Sequence, residues 1–466
     1  MISRRQFVSA ALALGGAYAI GPRISQAKPS EGFLVLKAEE FDYSLAPQEL
    51  PNSPFWFYNR QTPGPEIRVR KGETVKVRFI NQLPEPTSIH WHGIRIDNAM
   101  DGVSGLTQQA VAPGDSFDYE FVAPDAGTYW YHAHNKSWNE VARGLYGALI
   151  VDELEPTFER ANEITLVVDD WRVDREGNLD LASLGALMDW SHGGRLGNIL
   201  TVNGQFQTKI EVKPGQNYRL RLINASNARI LHFDPARIGA LVLAYDGQAL
   251  SVPATFGDTP LFLGPAQRAD LLMTPSLGKD FELEEVSTER AFPIVQFAVV
   301  GEATSNSAAP RLMPNRLPEP NLGTARQFRL DMTGGAMGNF VETTYNSKVL
   351  RDGDFRTTGQ VWAFNGIANL AKSPFFAVER GESVTVDIIN NTAFAHAMHV
   401  HGHHFKIVER VDSDIDEGQP WRDTFLSVPG ETTRIAFVAD NPGKWLLHCH
   451  MLEHAAAGMN TWFEVT

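Results

Sequence analysis

The sequence predicts an all-β chain, sandwich or barrel, built from one unit used three times, and three observations carry that prediction. Beyond residue 30, short alternating segments rich in Val, Ile, Phe and Thr are broken by Pro-Gly, Asn-Gly and Asp-Gly, with few helical stretches. One pattern recurs: RKGETVKVRFINQ (70–82), VKPGQNYRLRLINAS (212–226) and ERGESVTVDIINN (379–391) each pass from a glycine turn through an alternating strand to Ile-Asn. The chain has 466 residues, 43% of them hydrophobic, which is enough to bury about three cores.

The repeat fixes a register. With Asn81, Asn224 and Asn390 taken as equivalent, His90 and His92 stand nine and eleven residues after the first, and His399 and His401 stand nine and eleven after the third. The middle copy carries Phe233 and Pro235 at those positions. Pro113-Gly114 precedes His132 by the interval at which Pro429-Gly430 precedes His448, and Gly127 and Gly443 each stand five residues before those histidines. The expected divisions are 28–153, 154–310 and 311–466, with the Ala/Ser/Pro-rich stretch 301–322 as the linker into the third unit.

Composition excludes several classes of function. Forty-one basic against 55 acidic residues give a net charge of −14, which argues against a surface built for nucleic acid phosphates. Twenty-seven Phe, 10 Trp and 10 Tyr exclude disorder. A single cysteine excludes an intramolecular disulfide, a cysteine-rich zinc site and a cysteine-ligated iron–sulfur cluster. Residues 1–27 read as an export leader: Arg4-Arg5 with Phe7, an apolar run from Ala10 to Ile20, and Ser25-Gln26-Ala27 before the cleavage point. The paired arginines point to the twin-arginine export machinery and so to the periplasm; no later segment approaches 18 uninterrupted apolar residues, so a mature protein that is not membrane-embedded is expected, and a monomer.

Fourteen histidines beside one cysteine is the unusual ratio. Four His-x-His pairs occur: His90/His92, His132/His134, His399/His401 and His448/His450. Alternate strand residues share a face, so each pair projects two imidazoles the same way. Eight imidazoles placed together make a poor core and a good metal site for copper, zinc or iron. In HCHMLEHAAAGM (448–459), alternation turns Cys449 to the face opposite His448 and His450, so the thiolate serves a different metal. Cys449, His454 and Met459, joined by His396 from HAMHVH, form the His₂Cys set with a thioether that marks a blue copper centre.

These motifs, with HWHG and HAH, resemble those of three-domain bacterial multicopper oxidases, the laccase-like and copper-efflux group. The resemblance implies three cupredoxin-like Greek-key β-sandwich domains and four copper ions. It implies His396, Cys449, His454 and Met459 as type 1 ligands and His90 with His399 as the type 2 pair. His92, His132, His134, His401, His448 and His450 would then hold the two type 3 ions. Ala133 stands where Cys449 stands in the third unit, so the blue centre is expected only there, and the cluster at the seam of the first and third units with the middle unit as spacer. The implied reaction is one-electron oxidation of a phenolic or similar reductant, or of cuprous ion, coupled to reduction of dioxygen to water. Asp101 matches the acid near the cluster, with Cys449 as the electron link. Several relatives have a second acid where this chain has Ala455, and Glu453 precedes the histidine instead.

The alternative is a copper-free cell-envelope protein of the same fold with an interaction role. A copper nitrite reductase is the other enzyme of this kind, and four His-x-His pairs exceed its needs. No methionine-rich cover is evident, and Thr392 and Phe394 stand where relatives specialised for cuprous ion often carry Asp and Met. An open type 1 site lined by Phe394 and the loop 332–340 is therefore expected, with a laccase-like preference.

Overall fold

The computed structural model describes residues 29–30, 32–46, 49–255, 260–287, 291–304, 309–338, 342–351, 353–412 and 420–466, so the leader segment 1–27 lies outside the described residues. Three pairs of β-sheets and one small hairpin follow one another along the chain. The first pair, of five and four strands, spans Pro29 to Asp152; the second, of six and five, Glu163 to Val299; the third, again six and five, Arg326 to Val465. Each pair encloses its own apolar core, so the units are sandwiches rather than barrels. Among the described residues no helix is long and apolar enough to cross a membrane.

The repeated asparagine explains why one sequence pattern closes each unit the same way. Asn81, Asn224 and Asn390 are fully buried at the ends of Thr74–Asn81, Tyr218–Asn224 and Ser383–Asn390. Each Nδ2 donates to two carbonyls: Glu85 and Val111, Arg229 and Leu263, Phe394 and Ser427. Each Oδ1 accepts the N–H two residues on, from Leu83, Ser226 and Thr392. A buried amide that meets all these demands is stable only as Asn, which pins the strand that follows in all three units.

The outer two copies alternate as their patterns require, with Val75, Val77 and Phe79, and Val384, Val386 and Ile388, turned inward. The middle copy is buried on both faces, because Arg219 and Arg221 point into the seam with the first unit. There Arg221 Nη1 donates to Thr128 Oγ1 (2.7 Å), and Arg219 Nη1 donates to Glu153 (2.7 Å). Charges in that strand are consequently interface residues rather than a solvated face.

Candidate metal centre

The histidine pairs sit on matching strand pairs. Ile89–His92 runs antiparallel to Gly127–Ala133 with His90 opposite His132. His396–Val400 runs antiparallel to Gly443–Cys449 with His399 opposite His448. The two pairs face one another, and their rings make one cluster: His90 lies 3.9 Å from His401 and His92 lies 3.8 Å from His399 between centroids. His401 Nε2 stands 3.1 Å from His448 Nε2, and His450 Nε2 stands 3.3 Å from His132 Nε2.

Backbone carbonyls decide which nitrogen each ring turns inward. The Nδ1–H groups of His90, His132, His399 and His448 donate to the carbonyls of Asp101, Ala133, Asp423 and Cys449 at 2.8–3.0 Å. Nε2 is left for the centre. His92 is reversed: its Nε2–H donates to Asp423 Oδ1 (3.2 Å), and Nδ1 faces inward. His90 Nε2, His92 Nδ1 and His399 Nε2 are buried without a protein partner. Buried nitrogens in that state fit metal ions, because such groups are otherwise satisfied. Burial, followed by the neighbouring imidazoles, holds His132, His134, His401 and His448 well below the usual histidine range, in the neutral form that ligates.

A second donor set lies on the other face of the same strand, as the alternation requires. Cys449 Sγ is 3.6 Å from His396 Nδ1 and 3.8 Å from His454 Nδ1, and the two nitrogens are 3.1 Å apart. Here the outer nitrogens are tied instead: His396 Nε2–H donates to Thr392 Oγ1 (2.8 Å) and His454 Nε2–H to the His192 carbonyl (2.6 Å). Met459 is buried beside them, its N–H donating to the His454 carbonyl and its own carbonyl accepting the Cys449 N–H. Burial pushes the Cys449 thiol up to about 12, so a cation must displace its proton.

Asp101 serves both as a turn residue and as a neighbour of the cluster. It follows the turn Asn98–Met100, and each of its carboxylate oxygens lies 3.1 Å from His401 Nδ1. Gly102 is required behind it, since a Cβ there would lie 1.7 Å from the Ile89 carbonyl oxygen.

Sequence reasoning missed Asp423, a lone acid in RDTF whose partner His92 is 331 residues away. Burial opposes its charge, but Arg268 together with the hydrogen bonds from His399 and His92 outweighs burial and holds Asp423 well below the usual carboxylate range. His403 and His404 are buried outside both donor sets, His404 beside Gln248 and His403 among Phe437, Trp445 and Phe463.

The open blue-centre edge expected from the sequence is not what the structure has. His396 and His454 are fully buried, and a middle-unit segment crosses over them. Three successive carbonyls, of Trp190, Ser191 and His192, accept from Trp362 Nε1, Ala336 N and His454 Nε2. Phe394 does lie at this place, edge-on to His192 and Trp362. The short helix of this cover, Leu187–Ser191, carries a single methionine, Met188, so a search for methionine-rich insertions passes it by.

Ala455 lines a separate cleft of about 300 Å³ that reaches His134 and His448 between Ser104, Asn135, Ser137 and Asn460. Among the described residues no carboxylate lines it. Glu453 turns away to the middle unit, where Asn227 Nδ2 donates to it (2.7 Å).

Two models described as multicopper oxidase match residues 42–156 and 342–466. The multicopper oxidase MmcO of Mycobacterium tuberculosis is 30% identical over 433 residues, covering 87% of this chain and 82% of that protein. This chain belongs to the multicopper oxidase family. Among solved structures, this multicopper oxidase is similar to one from Pseudomonas thermotolerans, at 31% identity and a TM-score of 0.80 over 93% of this chain and 98% of that one. It is also similar to Lac15 from a marine microbial metagenome, at 36% identity and a TM-score of 0.73 over 92% and 99%. The protein is therefore an oxidoreductase that uses dioxygen, and copper is its metal. The copper-free alternative finds no support.

Proposed function

We propose that this multicopper oxidase holds four copper ions and oxidises a phenolic or similar reductant, or cuprous ion, one electron at a time. His396, Cys449, His454 and Met459 hold the type 1 ion. His90 and His399 hold the type 2 ion, and His92, His132, His134, His401, His448 and His450 the type 3 pair. The observation that carries the reading is the pair of donor sets on opposite faces of one strand, with Cys449 in one and its covalent neighbours His448 and His450 in the other. Bound copper supplies one-electron acceptance at the first set and reduction of dioxygen at the second. Four phenols each lose an electron and a hydroxyl proton, and one dioxygen takes up four of each to give two waters.

The chain's own groups do the rest. Asp101 faces His401 and is the acid placed to pass protons to the cluster. The neutral cleft past Ala455 is the way in for dioxygen and out for water. The residues 28–153, 154–310 and 311–466 form the three domains, and the Arg4-Arg5 leader supports twin-arginine export to the periplasm.

Steady-state turnover of a methoxyphenol and of cuprous ion, on copper-saturated enzyme with and without a cuprous chelator, tests the preference. Phenol oxidation that continues with chelator present is expected. Phenol turnover that vanishes without excess copper would make cuprous ion the reductant.

A further inference from the structure

His92 is the cluster histidine whose inward nitrogen is Nδ1 with its outer Nε2–H on a carboxylate, and the group responsible spans all three units. Asp423 of the third unit accepts from His92 Nε2–H of the first. Its backbone carbonyl accepts from His399 Nδ1–H (2.9 Å). One residue thus fixes both rings of the stacked His92–His399 pair. Thr424 Oγ1–H donates to the same Oδ1 (2.8 Å), which leaves that oxygen little freedom to move.

Asp423 is itself gripped from the middle unit. Arg268 Nη1 and Nη2 donate to Oδ1 and Oδ2 at 2.8 and 2.5 Å, a two-pronged grip that only a guanidinium makes. The fully buried Arg268 also donates to the Thr128 carbonyl of the first unit (3.2 Å) and the Ala266 carbonyl (3.1 Å). Gly93, which closes the HWHG motif, leaves the space for this contact. A Cβ there would lie 2.3 Å from both Arg268 Nη2 and Asp423 Oδ2.

We propose that Asp423, held by Arg268, is the positioning residue that makes His92 present Nδ1 and keeps the first- and third-unit ligands in register. The middle unit, which supplies no ligand, then completes the cluster through Arg268. A hydrogen bond at one ring nitrogen fixes the other as the ligand atom, and loss of such an outer partner typically costs about 10–100-fold in metal affinity. The carboxylate is not itself a ligand in this reading, because Arg268 and Thr424 take up its oxygens.

The proposal rests on the four-ion assignment, so copper per chain is measured on the wild type first. Four ions establish that assignment; a wild type holding only the type 1 ion overturns it and the proposal together. Asp423→Asn keeps the shape and leaves Arg268 with Asp246 at 3.5 Å, so it retains the fold even where Arg268→Met does not. Expected for both is loss of half or more of the copper per chain, all from the cluster. The blue absorption should stay unchanged in Asp423→Asn, whose copper-free form should unfold at a lower midpoint but still cooperatively, and Arg268→Lys should recover part of the copper. Full copper content in Asp423→Asn overturns the proposal. So does parallel loss of the blue band and the fold, which is a structural role. Loss of one ion in Asp423→Asn with full copper in Arg268→Met makes Asp423 a ligand and also overturns it.

Discussion

Cys449 shows how one side chain divides two donor sets. Its thiol is buried enough to be pushed up to about 12, yet two unprotonated imidazole nitrogens converge on it at 3.6 and 3.8 Å. A cation between the three accounts for both facts. Cys449→Ser should therefore lose the blue absorption and one copper per chain while the cluster keeps its metal, as metal analysis and visible spectra will show. A serine variant that stays blue would overturn the assignment. The residues of these sets were legible because a period-two backbone turns His-x-His into two ligands on one face and puts the residue between them on the other. Asp423 and Arg268 were not legible, since a lone acid and a lone arginine carry no local pattern and meet across 155 residues.

Among the elements, strands were legible through alternation and their asparagine ends, while the short helices were not. Leu187–Ser191 is five residues long, too short to show a helical period, and it forms part of the cover over His454. Ser137–Glu140 is shorter still and buries Glu140 with Thr87 Oγ1–H as a donor (3.0 Å). Burial raises the Glu140 carboxyl from 4.5 to about 8. A carboxyl raised on folding adds stability that is complete below its unfolded value and lost as pH rises through the folded one. Between about 4.5 and 8, Glu140 thus makes the protein less stable with rising pH, by about 1.4 kcal/mol per pH unit. Glu140→Gln should flatten that decline and be the more stable form above pH 8, measured by denaturant midpoints of copper-free protein. Superimposed profiles would mean that the carboxyl ionises without cost.

At the scale of the molecule, the proposed ligands come from the two ends of the chain, which couples copper binding to the docking of the outer units. Among the described residues, His90 Nε2 and His92 Nδ1 of the first unit are buried without a protein partner, beside the His401 and His399 rings of the third. Without metal those groups are desolvated and unpaired, a cost of roughly 1–3 kcal/mol each. With metal that cost disappears, and a site at a free concentration one hundred times its Kd adds about 2.7 kcal/mol. The middle unit shares the seam through Arg219, Arg221 and Arg268, but its own core contains none of the donors. Copper removal should therefore lower the unfolding temperature of the outer units far more than that of the middle one, separating a single calorimetric transition into two. Hydrogen exchange locates the effect: Ile89–His92 and His396–Val400 should lose protection in the stripped protein, while Glu163–Trp171 keeps it. Equal midpoints with and without copper would mean that the seam is held by protein contacts alone.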